Sequence, residues 1–198
     1  MYSEDKLYGL VLTGGKSRRM GKDKGQLQYY HVNHSTYLCN LLNRFCAATF
    51  ISCRSEQKYS SVTETSTIFD EKRYSGPLNG LLSAHHQYPE KAWLVVAVDL
   101  PHINEKTIRT LIANRNPQKI ATVYASHASH LPEPLVAIWE PKGLLLAEAF
   151  TRKTNKCCPR KFLMNQDIAL VLPENDLELF NANFPKDYET AKRKIAQS

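Results

Sequence analysis

Long apolar runs are missing from this 198-residue chain. No stretch approaches the roughly 18 residues of a membrane span. Met1 to Lys6 is polar and carries Glu4 and Asp5, whereas a secretory leader needs a basic start and a longer apolar run. Glycine and proline are sparse, at 8 and 10 residues, which excludes collagen-like and low-complexity character. The five cysteines (Cys39, Cys46, Cys53, Cys157 and Cys158) are odd in number and have no framework or paired zinc spacing. A reducing cytoplasm is therefore expected. Zinc-finger, RNA-recognition and basic-zipper patterns are absent, as is the G-x-S-x-G of serine hydrolases.

What is present is a chain of ordinary globular composition, 42% hydrophobic and 23% charged. At about 150 residues per domain, one domain spanning residues 1–198 is expected. It can bury a full core without a metal or disulfide.

The net charge of +7 is uneven. Residues 16–24 hold Lys16, Arg18, Arg19, Lys22 and Lys24 against one acid, Asp23. Residues 152–161 hold Arg152, Lys153, Lys156, Arg160 and Lys161 with no acid. The remainder is slightly acidic. Two concentrated positive segments suit anionic ligands such as phosphates. Neither has the interleaved aromatics of a single-strand nucleic-acid binder, so nucleic acid is not the expected partner.

Apolar periodicity predicts alternating strands and helices. Leu7 to Thr13 is a short apolar run ending at Gly14-Gly15, as a buried strand would. Thr49 to Cys53, Thr67 to Phe69, Ile120 to Tyr124, Leu135 to Trp139 and Ile168 to Leu172 also predict strands. Ala92 to Val98 is apolar throughout, the pattern of a strand covered on both faces. Helical spacing recurs at Leu38, Leu41, Leu42 and Phe45, and at Leu78, Leu81, Leu82 and His85, where His85 reads as a core histidine. It recurs at Ile108, Leu111 and Ile112 behind a candidate N-cap, Asn104. Leu144 to Phe150, Lys161 to Asn165, and Phe184, Tyr188, Ala191 and Ile195 complete the helices. This alternation predicts one three-layer α/β/α domain around a mostly parallel, Rossmann-like sheet. Ligands of such sheets bind at the carboxyl ends of the strands, here the loops after Thr13, Phe69 and Val98.

The first of these loops reads Leu12-Thr13-Gly14-Gly15-Lys16-Ser17-Arg18-Arg19-Met20-Gly21-Lys22-Asp23-Lys24. Its glycines let backbone N–H groups approach a phosphate closely, and its cations can balance triphosphate charge. It is not a Walker A loop, because the glycine required five residues before Gly15 is Leu10. Nor does a G-x-G-x-x-G follow the strand.

The segment L-T-G-G-K-S-R-R-M-G-K-D-K resembles the L-A-G-G-x-S-x-R-M-G-x-D-K signature of MobA-like nucleotidyltransferases. The resemblance continues in chain order through Ser75-Gly76-Pro77-Leu78-Asn79-Gly80, Val98-Asp99-Leu100-Pro101, Glu133-Pro134-Leu135 and Asn181-Ala182-Asn183-Phe184-Pro185-Lys186-Asp187. It covers most of the chain. Thr13 stands where the family usually has Ala, and Phe184 where it usually has Thr, losing an N-cap hydroxyl before Pro185. A polar base contact after the second strand falls near Ile51 or Ser52.

The resemblance implies a nucleotidyltransferase fold and guanylyl transfer from Mg²⁺-bound GTP to molybdopterin. The Gly14-Gly15 pair is similar to the guanylyl branch, and the cytidylyl branch usually has Ala-Gly. It implies nucleotide contacts from Leu12, Thr13, Gly14, Gly15, Lys24, Asp70 and Asp99, with Lys24 and Arg19 on the phosphates. Asp99, at the end of the most apolar strand, is the expected Mg²⁺ ligand, assisted by Asn183. A hard cation bridging phosphates needs one or two carboxylates. Other proteins of cofactor biosynthesis or cofactor acceptance are possible partners. Arg160 and Lys161, near a helix start at Pro159, are expected to receive the acceptor. The alternatives are a cytidylyltransferase, another small-molecule or sugar-phosphate nucleotidyltransferase, and a phosphate-ligand-binding module without turnover.

Overall fold

The computed structural model describes residues 7–13, 24–54, 66–71 and 73–197. Among these residues seven strands form one sheet in the order β3-β2-β1-β4-β6-β5-β7. They are β1 (Tyr8–Leu12), β2 (Ala48–Cys53), β3 (Ser66–Phe69), β4 (Trp93–Ala97), β5 (Ala121–Ala125), β6 (Pro132–Trp139) and β7 (Ala169–Val171). β1 pairs in parallel with β2 and β4, β2 with β3, and β5 with β7. β6 alone is reversed, antiparallel to both β4 and β5, with an irregularity at Val123/Tyr124.

Among the described residues six helices cover the sheet: α1 (His34–Asn43), α2 (Pro77–Gln87), α3 (Glu105–Ala113), α4 (Pro141–Thr154), α5 (Pro159–Leu163) and α6 (Pro185–Ile195). The chain crosses from β1 to β2 in one direction and from β3 back to β4 in the other. Right-handed crossovers then put α1 and α2 on opposite faces. α3 joins α1, with Arg44 bonded to Glu105 and the Tyr37 hydroxyl donating to the Ile103 carbonyl. α4 joins α2 through His86 and Glu148. The central strand β4 is buried at every residue, as its unbroken apolar run requires.

Local signals act where expected. Asn104 caps α3, its side chain accepting from the N–H groups of Lys106 and Thr107. Gly76, at φ 71°, makes the turn into Pro77 that a residue with a Cβ would resist. His85 is buried. β6 begins three residues before the predicted Leu135 and includes Pro132 and Pro134, residues that ordinarily argue against a strand. Phe45 falls beyond the end of α1.

A small second cluster matters for the site. Leu27, Tyr29, Ala182 and Ala191 are buried together against Tyr188 and Ile195. It clamps the segment after Lys24 to α6. The turn Lys24–Gln26 is also held to the start of α1, where Ser35 donates to the Gly25 carbonyl and the His34 N–H to that of Leu27. All five cysteines are free thiols. Among the described residues no helix is long and apolar enough to cross a membrane.

Candidate active site

The site grows from the carboxyl ends of β1, β2, β3 and β4. Leu12 ends β1, and its carbonyl accepts from the Val98 N–H at 3.1 Å. Thr13 follows and bonds the Ser52 carbonyl twice, through its N–H at 3.1 Å and its hydroxyl at 2.7 Å. The residue standing in place of the usual Ala thus ties the loop's origin to β2. The Ser52 hydroxyl in turn donates to Asp70 Oδ1 at 2.8 Å. α2 presses on this pair without a side chain. A Cβ at Gly80 would lie 2.3 Å from Ser52 Oγ and 3.2 Å from Asp70 Oδ1. Ser52, not Ile51, is therefore the polar group of β2 at this edge.

Three residues far apart in sequence meet beside it. Lys24 Nζ donates to Asn183 Oδ1 at 2.7 Å and lies 3.7 Å from Asp99 Oδ2. The Ala182 N–H donates to the Asp99 carbonyl at 2.7 Å, which joins the segment before α6 to the end of β4. Phe184 caps α6 without a side-chain bond, and Asp187 reaches back instead, its Oδ2 accepting from the N–H groups of Asn183 and Phe184, each at 2.9 Å. The geometry at Asn183 is held without the Thr.

Electrostatics distinguishes Asp99. Its Oδ1 is buried and has no hydrogen-bond partner among the described residues. Burial raises the carboxyl above its ordinary range, and Lys24 opposes the shift. An oxygen shielded from water and left unpaired is costly. A cation arriving there would relieve the cost.

The sequence reading passed over one carboxylate. Glu133 is buried near Asp99, and burial, with Asp99 adding to it, raises its pKa. Arg160 holds it, donating from Nη2 to Glu133 Oε2 at 2.6 Å and from Nε to the Pro132 carbonyl at 2.9 Å. The Glu133-Pro134-Leu135 motif was the available signal. Lys161 is exposed beside Arg160. Arg152, from the same basic segment, is tied to Glu148 and the Tyr74 hydroxyl. Gly14, Gly15 and Arg19 lie outside the described residues.

An ammonium, a carboxamide and a carboxylate converge at the carboxyl edge of a mostly parallel sheet, where the glycine-rich basic loop begins. Fold and site together define a nucleotidyltransferase. Residues 9–168 match the MobA-like NTP transferase domain, and the chain belongs to that family. The chain is 39% identical over 189 residues to a molybdenum cofactor biosynthesis bifunctional protein of Synechocystis sp., covering 94% of this chain but 54% of that one. It thus spans about half the length of that relative. It is 30% identical over 198 residues to a probable molybdenum cofactor guanylyltransferase of Opitutus terrae, covering 96% of each. In structure it is similar to the molybdopterin-guanine dinucleotide biosynthesis protein A of Archaeoglobus fulgidus. The TM-score is 0.79 at 20% identity, over 97% of this chain and 100% of that one, a likeness of fold.

Proposed function

We propose that the chain is a molybdenum cofactor guanylyltransferase, transferring GMP from Mg²⁺-GTP to molybdopterin with release of pyrophosphate. The observation that carries this reading is the meeting of Lys24, Asp99 and Asn183 at one corner of the sheet, in a chain of this family whose relatives bear that name.

The chemistry asks little covalent work of the protein. A phosphate nucleophile is already ionised at pH 7, so no general base is needed. The acceptor oxygen bonds to the α-phosphorus of GTP as the bond to the pyrophosphate oxygen breaks. Positioning and charge neutralisation carry such transfers. Gly14, Gly15 and the backbone at Leu12 and Thr13 receive the nucleotide, and Asp70, fixed by Ser52, contributes from β3. Lys24 and Arg19 hold the triphosphate. Lys24 serves two partners in the resting corner, so it is placed before substrate arrives.

The corner suits a hard divalent cation. The unpaired Asp99 Oδ1 is an oxygen donor of the type Mg²⁺ takes. Asp99 would hold the ion, with Asn183 Oδ1 beside it. When bound, the ion neutralises charge on the α-phosphate and the leaving group. Arg160 and Lys161 receive the acceptor's anionic end in this reading. Arg160 is already oriented by Glu133, and Lys161 projects its charge freely. The five free thiols agree with a cytoplasmic setting.

Titrating the protein separately with GTP, CTP and ATP in the presence of Mg²⁺ tests the reading. GTP binds most tightly on this account. Equal or tighter CTP binding would transfer the protein to the cytidylyl alternative.

A further inference from the structure

The turn after β4 carries Asp99 and runs on to α3 with little holding of its own. Pro101 has no N–H to give. The Leu100 N–H reaches the Ala97 carbonyl at 3.3 Å, and the Ile103 N–H reaches the Leu100 carbonyl at 3.5 Å, both long. At the Asp99 side chain, Lys24 lies 3.7 Å from Oδ2, while Oδ1 is buried without a hydrogen-bond partner among the described residues. The aim of Oδ1 is therefore set through the backbone of the turn.

Four carbonyls of that turn are gripped from outside it. The carbonyl of Asp99 accepts from the Ala182 N–H at 2.7 Å. The other three are held by one segment. His34 Nε2 faces the Leu100 carbonyl at 3.3 Å, and the hydroxyls of Tyr30 and Tyr37 donate to the carbonyls of Pro101 and Ile103 at 3.1 and 3.2 Å. A carbonyl only accepts, so the neutral imidazole carries its proton on Nε2 and Nδ1 is bare. That Nδ1 is buried with no partner among the described residues. Leaving it unpaired is costly, so packing alone does not account for an imidazole at this position.

The three donors share one support. Tyr30 stacks on Tyr37 with ring centroids 4.0 Å apart, and the planes of Tyr30, His34 and Tyr37 lie within 22° of one another. Burial raises both phenol pKa values, so both hydroxyls keep the proton they donate. The same segment begins at Lys24, whose turn is bonded to the start of α1 through Ser35 and the His34 N–H. One frame thus sets Lys24 and Asp99 relative to each other.

We propose that Tyr30, His34 and Tyr37 are positioning residues for the Asp99 carboxylate, three donors on near-parallel rings that hold its turn so that Oδ1 meets a divalent cation. They act through Asp99 and are not catalytic residues. The proposal rests on the reading of Asp99 as the Mg²⁺ ligand and names what fixes that ligand in place.

Tyr30→Phe/Tyr37→Phe keeps both rings and removes two donors. The test follows the Mg²⁺-induced rise of the urea midpoint of the full chain without nucleotide, together with the Mg²⁺ dependence of GMP transfer. In the double variant the Mg²⁺ concentration giving half the effect rises about tenfold in both measurements, as loss of groups that orient a metal ligand predicts. GTP affinity without metal stays within about twofold, and residual transfer by Asp99→Asn is not lowered further by the same two substitutions. Tyr30→Phe and Tyr37→Phe singly guard against misfolding of the pair and shift the Mg²⁺ dependence in the same direction by less. His34→Leu shifts it too, whereas His34→Gln, which places an amide N–H near the position of Nε2, restores it. An unchanged Mg²⁺ dependence in the tyrosine variants, or an equal loss of transfer in the Asp99→Asn background, overturns the proposal and leaves the three rings as packing. Absence of any Mg²⁺ response in wild type, by midpoint and by transfer alike, would instead remove Asp99 as the metal ligand, and the proposal with it.

Discussion

Burial raises the Asp99 carboxyl above its ordinary range, and the Lys24 ammonium 3.7 Å away opposes the shift without cancelling it. The folded chain therefore keeps the Asp99 proton at pH values where the unfolded chain has lost it. Stability from this group is present at low pH and is lost as pH rises from the ordinary aspartate value through the raised one. Asp99→Asn has no such dependence. In urea titrations the stability of the variant relative to wild type should rise with pH through that window. Saturating Mg²⁺ should then recover stability in wild type and not in the variant. A constant difference across the window would mean that Asp99 is no more buried in effect than a surface acid. His34 tests the opposite sign. It is fully buried, and desolvation lowers its pKa to about 4. Its neutral form is the folded form, so acid destabilises the chain between the ordinary histidine value and about 4. His34→Leu should flatten the acid limb of the stability curve; an unchanged limb would contradict this.

The ends of β1, β2 and β3 form a stack in which each element fixes the next. Thr13 holds Ser52, Ser52 holds Asp70, and Gly80 of α2 leaves the space they need. Gly80→Ala places a methyl 2.3 Å from Ser52 Oγ. Either α2 or the Ser52–Asp70 bond must give way. A destabilisation of about 1–3 kcal/mol is expected. GTP affinity should also fall, measured by the same titration as for wild type. Unchanged GTP affinity would remove Asp70 from the nucleotide site. Much of this layer was legible in the sequence. Apolar runs marked every strand, and period 3.6 marked the helices, although α1 stops before Phe45 and α5 runs Pro159–Leu163 rather than to Asn165. The reversal of β6 was not legible, because strand direction leaves no trace in an apolar pattern. The start of β6 was masked by two prolines, which ordinarily demote a strand. The cap hydroxyl is indeed missing at Phe184, but nothing in the residue order says that the Asp187 carboxylate reaches back to two backbone N–H groups.

Across the whole molecule the two basic segments have different fates. The second is partly consumed internally, Arg152 by Glu148 and Arg160 by Glu133, which counting charges along the chain could not reveal. The pairing ties Arg160 to Glu133, a buried carboxylate that the sequence reading did not select and whose raised pKa owes a part to Asp99. The corner itself exists only in the folded chain, since Lys24 and Asn183 are 159 residues apart. The measurement that reaches its central claim most directly follows α-phosphate label from Mg²⁺-GTP into molybdopterin, with pyrophosphate release, for wild type and Asp99→Asn. The account predicts transfer by wild type and its loss in the variant by about a hundredfold or more, with GTP binding largely retained through the backbone contacts of the loop. Wild-type turnover by Asp99→Asn at saturating Mg²⁺ would contradict it and leave Asp99 a residue of the turn before Pro101.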